Sequence, residues 1–101
     1  MTRNKQRFLL AAAITLLLGC TSPEEQIANY IASGDTFLGE GELAKAGLQY
    51  KNALKLKDDV AGAWWGLASI AQRQGNTQEA YQYARRVLEI EPKNLDALIV
   101  V

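Results

Sequence analysis

Four apolar stripes, each at three- and four-residue spacing, limit the folds open to this chain. Ile27, Tyr30, Ile31, Gly34, Phe37 and Leu38 make the first, and Gly39 and Gly41 break it. Leu43, Ala46, Tyr50, Ala53 and Leu54 make the second, ahead of the Asp58-Asp59 pair. Trp64, Leu67, Ala68 and Ala71 make the third, ended by Gly75-Asn76. Ala80, Tyr83, Ala84, Val87 and Leu88 make the fourth, stopped by Pro92. This is the period of helices buried along one face, punctuated by the residues that end helices. Ser22-Pro23-Glu24-Glu25 marks a start: a capping Ser, Pro at the first helical position and Glu three residues after the Ser. Both Glu also suit the positive end of the helix dipole. No segment alternates at the period of a strand, so the chain reads as all-α with short connections.

The helices come in pairs with a fixed offset. Gly41 and Gly75 are 34 residues apart, as are Ala46 and Ala80, and Leu54 and Leu88. The same offset sets Tyr30 against Trp64, Gly34 against Ala68, and Leu56 against Ile90. The second unit has Trp64-x₂-Leu67-Ala68, then Ala80, then Pro92. The first has Tyr30-x₂-Ser33-Gly34-x₂-Phe37, then Ala46-x₃-Tyr50 and Ala53. This pattern resembles the tetratricopeptide repeat, a 34-residue helix-turn-helix unit. The resemblance implies an all-α solenoid with one unit over residues 27–60 and a second over 61–94. The plain alternative is an unrelated four-helix bundle. Small residues at Gly34, Ala46, Ala68 and Ala80 allow the helices of a pair to approach closely. Tyr30, Phe37, Tyr50 and Trp64 are expected to fill the volume between neighbouring pairs. Ala71 and Ala84 stand where the family has large residues, and Asp58 where it has Pro, which predicts a looser second unit.

The segment before the first stripe has another character. Arg3, Lys5 and Arg7 precede an apolar run from Phe8 to Leu18, too short at about 1.5 Å per residue to span a bilayer core of about 30 Å. It reads as the apolar core of an export signal. Leu17-Leu18-Gly19-Cys20 then resembles the lipobox of bacterial lipoproteins. That resemblance implies a signal peptide over residues 1–19, cleavage before Cys20 and acyl chains on Cys20, with a short linker and helix start over 20–26. The alternative is an incidental Cys beside a plain signal peptide. Two or three acyl chains, at roughly 0.8 kcal/mol per buried CH₂, would hold the protein on a membrane. Thr21 after the anchor favours the outer membrane, facing the periplasm, over retention in the inner membrane. In a bacterium with a single membrane, the same signal implies its outer face.

Composition narrows the chemistry. Eleven Lys+Arg balance eleven Asp+Glu, and removal of Arg3, Lys5 and Arg7 with the signal leaves an acidic excess. A nucleic-acid binder needs a basic face instead. With no His and one Cys, the chain is expected to hold no metal and no cofactor, and it has no His-based triad. No nucleophile–base pair, carboxylate dyad or phosphate loop stands out, so these residues read as non-catalytic.

The C-terminal segment repeats the entry into the second unit. Lys93-Asn94-Leu95-Asp96-Ala97-Leu98 sets Ala97 against Ala63 and Leu98 against Trp64, before Ile99-Val100-Val101. Residues 95–101 are expected to be the start of a truncated third unit, since a solenoid end carries a polar cap. The alternative is a short apolar lid.

Function follows from the surface that such repeats present. In tetratricopeptide arrays the first helices of successive units line a concave groove that holds a peptide or partner helix. By resemblance, Ile31, Asp35 and Leu38 face it from the first unit, and Trp65, Ser69, Gln72 and Arg73 from the second. Trp65 lies about 100° round the helix from Trp64 on the core stripe. An exposed Trp there would be a binding hot spot; alternatively it packs on a third unit or on Ile31. Ile31 and Asp35 stand where carboxylate-clamp members of the family carry basic and amide groups, so that mode is not expected. Lys45, Lys51, Lys55, Lys57, Arg85 and Arg86 fall on second helices, interleaved with Glu79, Glu89 and Glu91 as a solvated face. The reading is a membrane-anchored scaffold that binds a protein or peptide partner in a pilus, outer-membrane protein, exopolysaccharide or PEP-CTERM system. The alternative is the docking arm of an enzyme whose catalytic domain lies beyond residue 101.

Overall fold

The structure, a computed structural model, describes residues 21–101. The expected signal peptide and Cys20 lie outside the described residues. Five helices follow in order: α1 (Pro23–Gly39), α2 (Leu43–Leu56), α3 (Ala61–Arg73), α4 (Thr77–Ile90) and α5 (Leu95–Val100). No strand occurs among the described residues. α1 begins where the sequence places it. Ser22 Oγ accepts from the Glu25 amide at 3.2 Å, Pro23 occupies the first turn, and Glu24 and Glu25 sit at the positive end of the dipole. Asn76 caps α4 by accepting from the Glu79 amide, and Asn94 caps α5 by accepting from the Ala97 amide.

The turn chemistry repeats with the sequence offset. Gly41 and Gly75 take φ of 78° and 74°, in the left-handed region where an L side chain is strained. At the first turn the Gly41 amide donates to Leu38 O at 3.1 Å and the Glu42 amide to Phe37 O at 2.9 Å. At the second, the Gly75 amide donates to Gln72 O at 3.1 Å and the Asn76 amide to Ala71 O at 2.9 Å. Each turn is a Schellman motif, which satisfies carbonyls at the helix end and reverses the chain in three residues. The two hairpins α1–α2 and α3–α4 are therefore the same local structure built twice.

Packing joins the hairpins through small side chains. Ala46, Ala53, Ala63, Ala68, Ala80 and Ala84 are almost wholly buried, and Tyr50 and Val87 are the largest fully buried side chains. One cluster gathers Ala46, Tyr50, Ala53, Ala63, Leu67 and Ile70, with Tyr30, Phe37 and Trp64 packed around it. A second gathers Ala84, Val87 and Ala97, carrying the core on to α5. Gly34, Ala46, Ala68 and Ala80 all lie at buried close approaches, as their size predicts.

The large residues divide differently from the sequence expectation. Tyr50 alone of the four aromatic fillers is fully buried, while Tyr30, Phe37 and Trp64 are half-buried. Trp64 keeps a polar edge, because its Nε1 donates to Asp58 O at 2.7 Å. Its ring centroid lies 5.9 Å from that of Tyr83, and the Arg86 guanidinium sits 5.1 Å over it. Arg86 also pairs with Glu89 one turn on. Ala71 and Ala84, small where larger residues were expected, are fully buried. A pocket opens beside Ala71, between α2, α3 and α4.

Candidate partner-binding groove

The seven groove residues sit on α1 and α3, the first helix of each hairpin. Period alone aligns Ile31, Asp35 and Leu38 on one side of α1, and Trp65, Ser69 and Gln72 on one side of α3. Ile31 and Leu38 are half-buried against the first core cluster. A side chain at Gly62 would meet Ile31 Cγ2 at 3.8 Å, so the start of α3 lies next to Ile31. Asp35 and Gln72 are exposed, and Ser69 is half-buried with its hydroxyl donating to Trp65 O at 3.0 Å.

Two of the charged groups are tied into the scaffold. Tyr50 Oη donates to Asp35 Oδ1 at 2.6 Å, a charge-assisted bond from α2 to α1. Arg73 Nη1 donates to Leu38 O at 2.7 Å, joining the end of α3 to the end of α1. Tyr50 thus holds Asp35 within the first hairpin, while Arg73 ties the second hairpin to Leu38 of the first. Burial pushes the Tyr50 phenol well above its ordinary range; the hydrogen bond to Asp35 and its charge push the same way, and Arg73 opposes them. The side chains of Ile31 and Gln72 make no hydrogen bond among the described residues.

Trp65 departs from the exposed position that one sequence reading gave it. It is half-buried and packs against the cluster of Ala84, Val87 and Ala97.

Sequence reasoning missed Gly66 and the inward partner of Asp35. A Cβ added at Gly66 would overlap the Tyr50 ring, and one added at Gly34 would lie 2.6 Å from Tyr50 Cε1. The ring of α2 is therefore pressed against a glycine from each flanking helix, α1 and α3. Gly34 was legible as a small residue at a close approach, whereas Gly66 lies outside the hydrophobic stripe and left no such signal.

Residues 61–94, covering α3 and α4, match the tetratricopeptide repeat family. They form a tetratricopeptide repeat unit. The hairpin is built twice with matching Schellman turns, and the all-α architecture is consistent with a tetratricopeptide solenoid, a fold that typically serves as a protein-interaction scaffold and not as a catalyst. The chain is also similar to two curated proteins called cellulose synthase operon protein C. It is 30% identical over 59 residues to the one from Komagataeibacter sucrofermentans and 32% identical over 59 residues to the one from Komagataeibacter xylinus. Each match covers 58% of this chain and 4% of the relative, so the chain spans a small fraction of either relative's length. Among the described residues no helix is long and apolar enough to cross a membrane, and no three His, Cys, Asp or Glu gather as a metal site.

Proposed function

We propose that this protein is a lipid-anchored scaffold of the bacterial envelope, holding a segment of a partner protein in the groove between α1 and α3. The observation that carries the reading is the Arg73–Leu38 bond at 2.7 Å, which fixes the two groove-lining helices against each other before any partner arrives. Pre-organisation of this kind lowers the ordering cost of binding. Half-buried Ile31, Leu38 and Trp65 offer apolar surface, and Ser69 and Gln72 offer hydrogen-bonding groups beside it.

The similarity to cellulose synthase operon protein C favours an exopolysaccharide system over pilus or outer-membrane protein assembly. The lipobox-like Leu17-Leu18-Gly19-Cys20 and Thr21 support anchoring through acyl chains on Cys20 at an outer membrane. Only Thr21 and Ser22 separate that anchor from Pro23, a reach of about 10 Å with Cys20 included. The first hairpin then stands at the headgroups, which restricts the directions from which a partner enters the groove.

Co-purification tests the reading. The full chain, extracted from its membranes with a mild detergent, should carry a partner in fixed proportion. Gln72→Lys, at an exposed position that touches no core residue, should deplete that partner while leaving the helical circular dichroism unchanged. Equal recovery with both proteins would overturn the groove as the binding surface.

A further inference from the structure

The face of α3 opposite the groove holds a second recess. On α3, Trp65, Ser69 and Gln72 form one stripe, whereas Leu67, Ile70, Ala71 and Gln74 form another. At about 100° per residue the two point in roughly opposite directions. The second stripe floors a pocket of about 340 Å³ between α2 and α4, to which α1 contributes nothing. None of the seven groove residues lines it. Its size falls within the range of pockets that take small ligands or a single large side chain.

Small residues hold this recess open. Ala71 stands at its floor where the repeat pattern has a large residue, and Ala44 and Gly47 form its α2 wall. Gly47 is unlike Gly34 and Gly66. A Cβ there would meet Ile70 Cδ1 at an ordinary 3.6 Å, so no neighbour requires a glycine, although a glycine in mid-helix weakens α2. Leu48 stands at the rim with 56% of its surface exposed, an apolar side chain left in water beside an apolar floor.

The lining carries one charge of each sign, Lys51 on α2 and Glu79 on α4, and the α2 side is basic. α2 carries Lys45, Lys51 and Lys55 and no carboxylate. Leu48, Lys51 and Lys55 fall on one stripe of the helix, running outward from the recess. Among the described residues Lys51 and Lys55 make no ion pair. The carboxylate on the facing wall, Glu79, keeps its negative charge, and both its oxygens accept hydrogen bonds from neutral donors. Its Oε1 accepts from Tyr83 Oη at 3.0 Å and its Oε2 from Asn76 Nδ2 at 2.7 Å.

We infer that this pocket docks an acidic segment of a partner protein, one aliphatic or aromatic side chain entering between α2 and α4 while neighbouring carboxylates meet Lys51 and Lys55. An apolar anchor seated in the recess supplies the affinity, and the lysines select and orient the segment. This surface is independent of the groove, so the two can be occupied together.

The probe is an acetylated, amidated peptide of sequence Asp-Glu-Leu-Phe-Asp-Glu, titrated into the full nitrogen-15-labelled chain and followed by amide shifts. Its control is the same peptide with Lys in place of each acid. Shifts at Gly47, Leu48, Lys51 and Gln74 with the acidic peptide alone are the expected result. Lys51→Glu should weaken binding by at least about tenfold, as removal of a close charge partner does. Gly47→Leu should abolish it by filling the recess, with circular dichroism to verify the fold. Shifts confined to Ile31, Ser69 and Gln72, equal binding of the basic peptide, unchanged affinity in Lys51→Glu, or no shift at millimolar peptide would each overturn the proposal. Concentration-dependent shifts of the same residues without peptide would assign the pocket to a second copy of the chain, and would overturn it too.

Discussion

The ring of Tyr50 fills the space that a side chain at Gly66 would need. Tyr50 belongs to the first hairpin and Gly66 to the second, so this one contact sets how closely the two units stack. A mid-helix glycine costs about 0.5–1 kcal/mol relative to alanine. Here that cost is offset by letting a whole aromatic ring become buried at the junction.

Gly66→Ala and Gly34→Ala should therefore each destabilise the fold by about 1–3 kcal/mol through overpacking, more than the gain in helix propensity. Gly47→Ala should behave oppositely. An added Cβ would make an ordinary 3.6 Å contact with Ile70 Cδ1, so this change should stabilise by up to about 1 kcal/mol. Urea unfolding of the three variants checks the contrast, and equal effects at Gly47 and Gly66 would break it.

Removing only the Tyr50 hydroxyl isolates the bond to Asp35. Tyr50→Phe keeps the ring against both glycines, so its cost should be about 0.5–1.5 kcal/mol, because exposed Asp35 can turn to water. Tyr50→Ala should cost about 3–5 kcal/mol, a large share of the stability of a small domain. Thermal unfolding distinguishes the two.

The same phenol gives the fold an alkaline limit. In the folded state burial raises Tyr50 above its ordinary value of 10.0, and burial followed by the hydrogen bond to Glu79 raises Tyr83. A raised folded-state value means that the fold favours the neutral phenol. The associated stability is complete below about pH 10 and is lost as pH rises through the raised values. Unfolding midpoints should hold between about pH 7 and pH 9 and then fall. Tyr50→Phe should show a shallower fall above about pH 10, and an identical slope would remove Tyr50 as the cause.

Much of this architecture is visible in the sequence because two periods coincide. The three- and four-residue stripes place α1 to α4, and the 34-residue offset pairs Gly41 with Gly75, both of which take positive φ at matching turns. The capping of α1 by Ser22 is local chemistry and needs no tertiary information. Gly66 was hidden because a missing side chain leaves no trace in a hydrophobicity pattern. Asp35 read only as a groove-facing acid because its partner Tyr50 lies on another helix, 15 residues away. Trp65 was ambiguous for a similar reason, since it packs against a cluster built from other helices. Helix period shows which way a side chain points but not what it meets there.

Anchoring is a separate prediction. Cys20→Ser should move the protein from the membrane to the soluble fraction, because no basic cluster remains to hold it at the headgroups. In the parent, the N-terminal peptide of the membrane-extracted protein should begin at Cys20 and carry diacylglyceryl mass. An unmodified Cys20 in that fraction would remove the lipid anchor from the account.

The scaffold reading is tested most directly by a photo-crosslinking amino acid placed at Gln72 in cells, with Gln82 on the outer surface of α4 as the control. Both side chains are exposed and neither supports the core. A discrete crosslinked product from Gln72, absent from Gln82, is the predicted result. Products of equal yield from both sites, or from Gln82 alone, would contradict a partner held between α1 and α3.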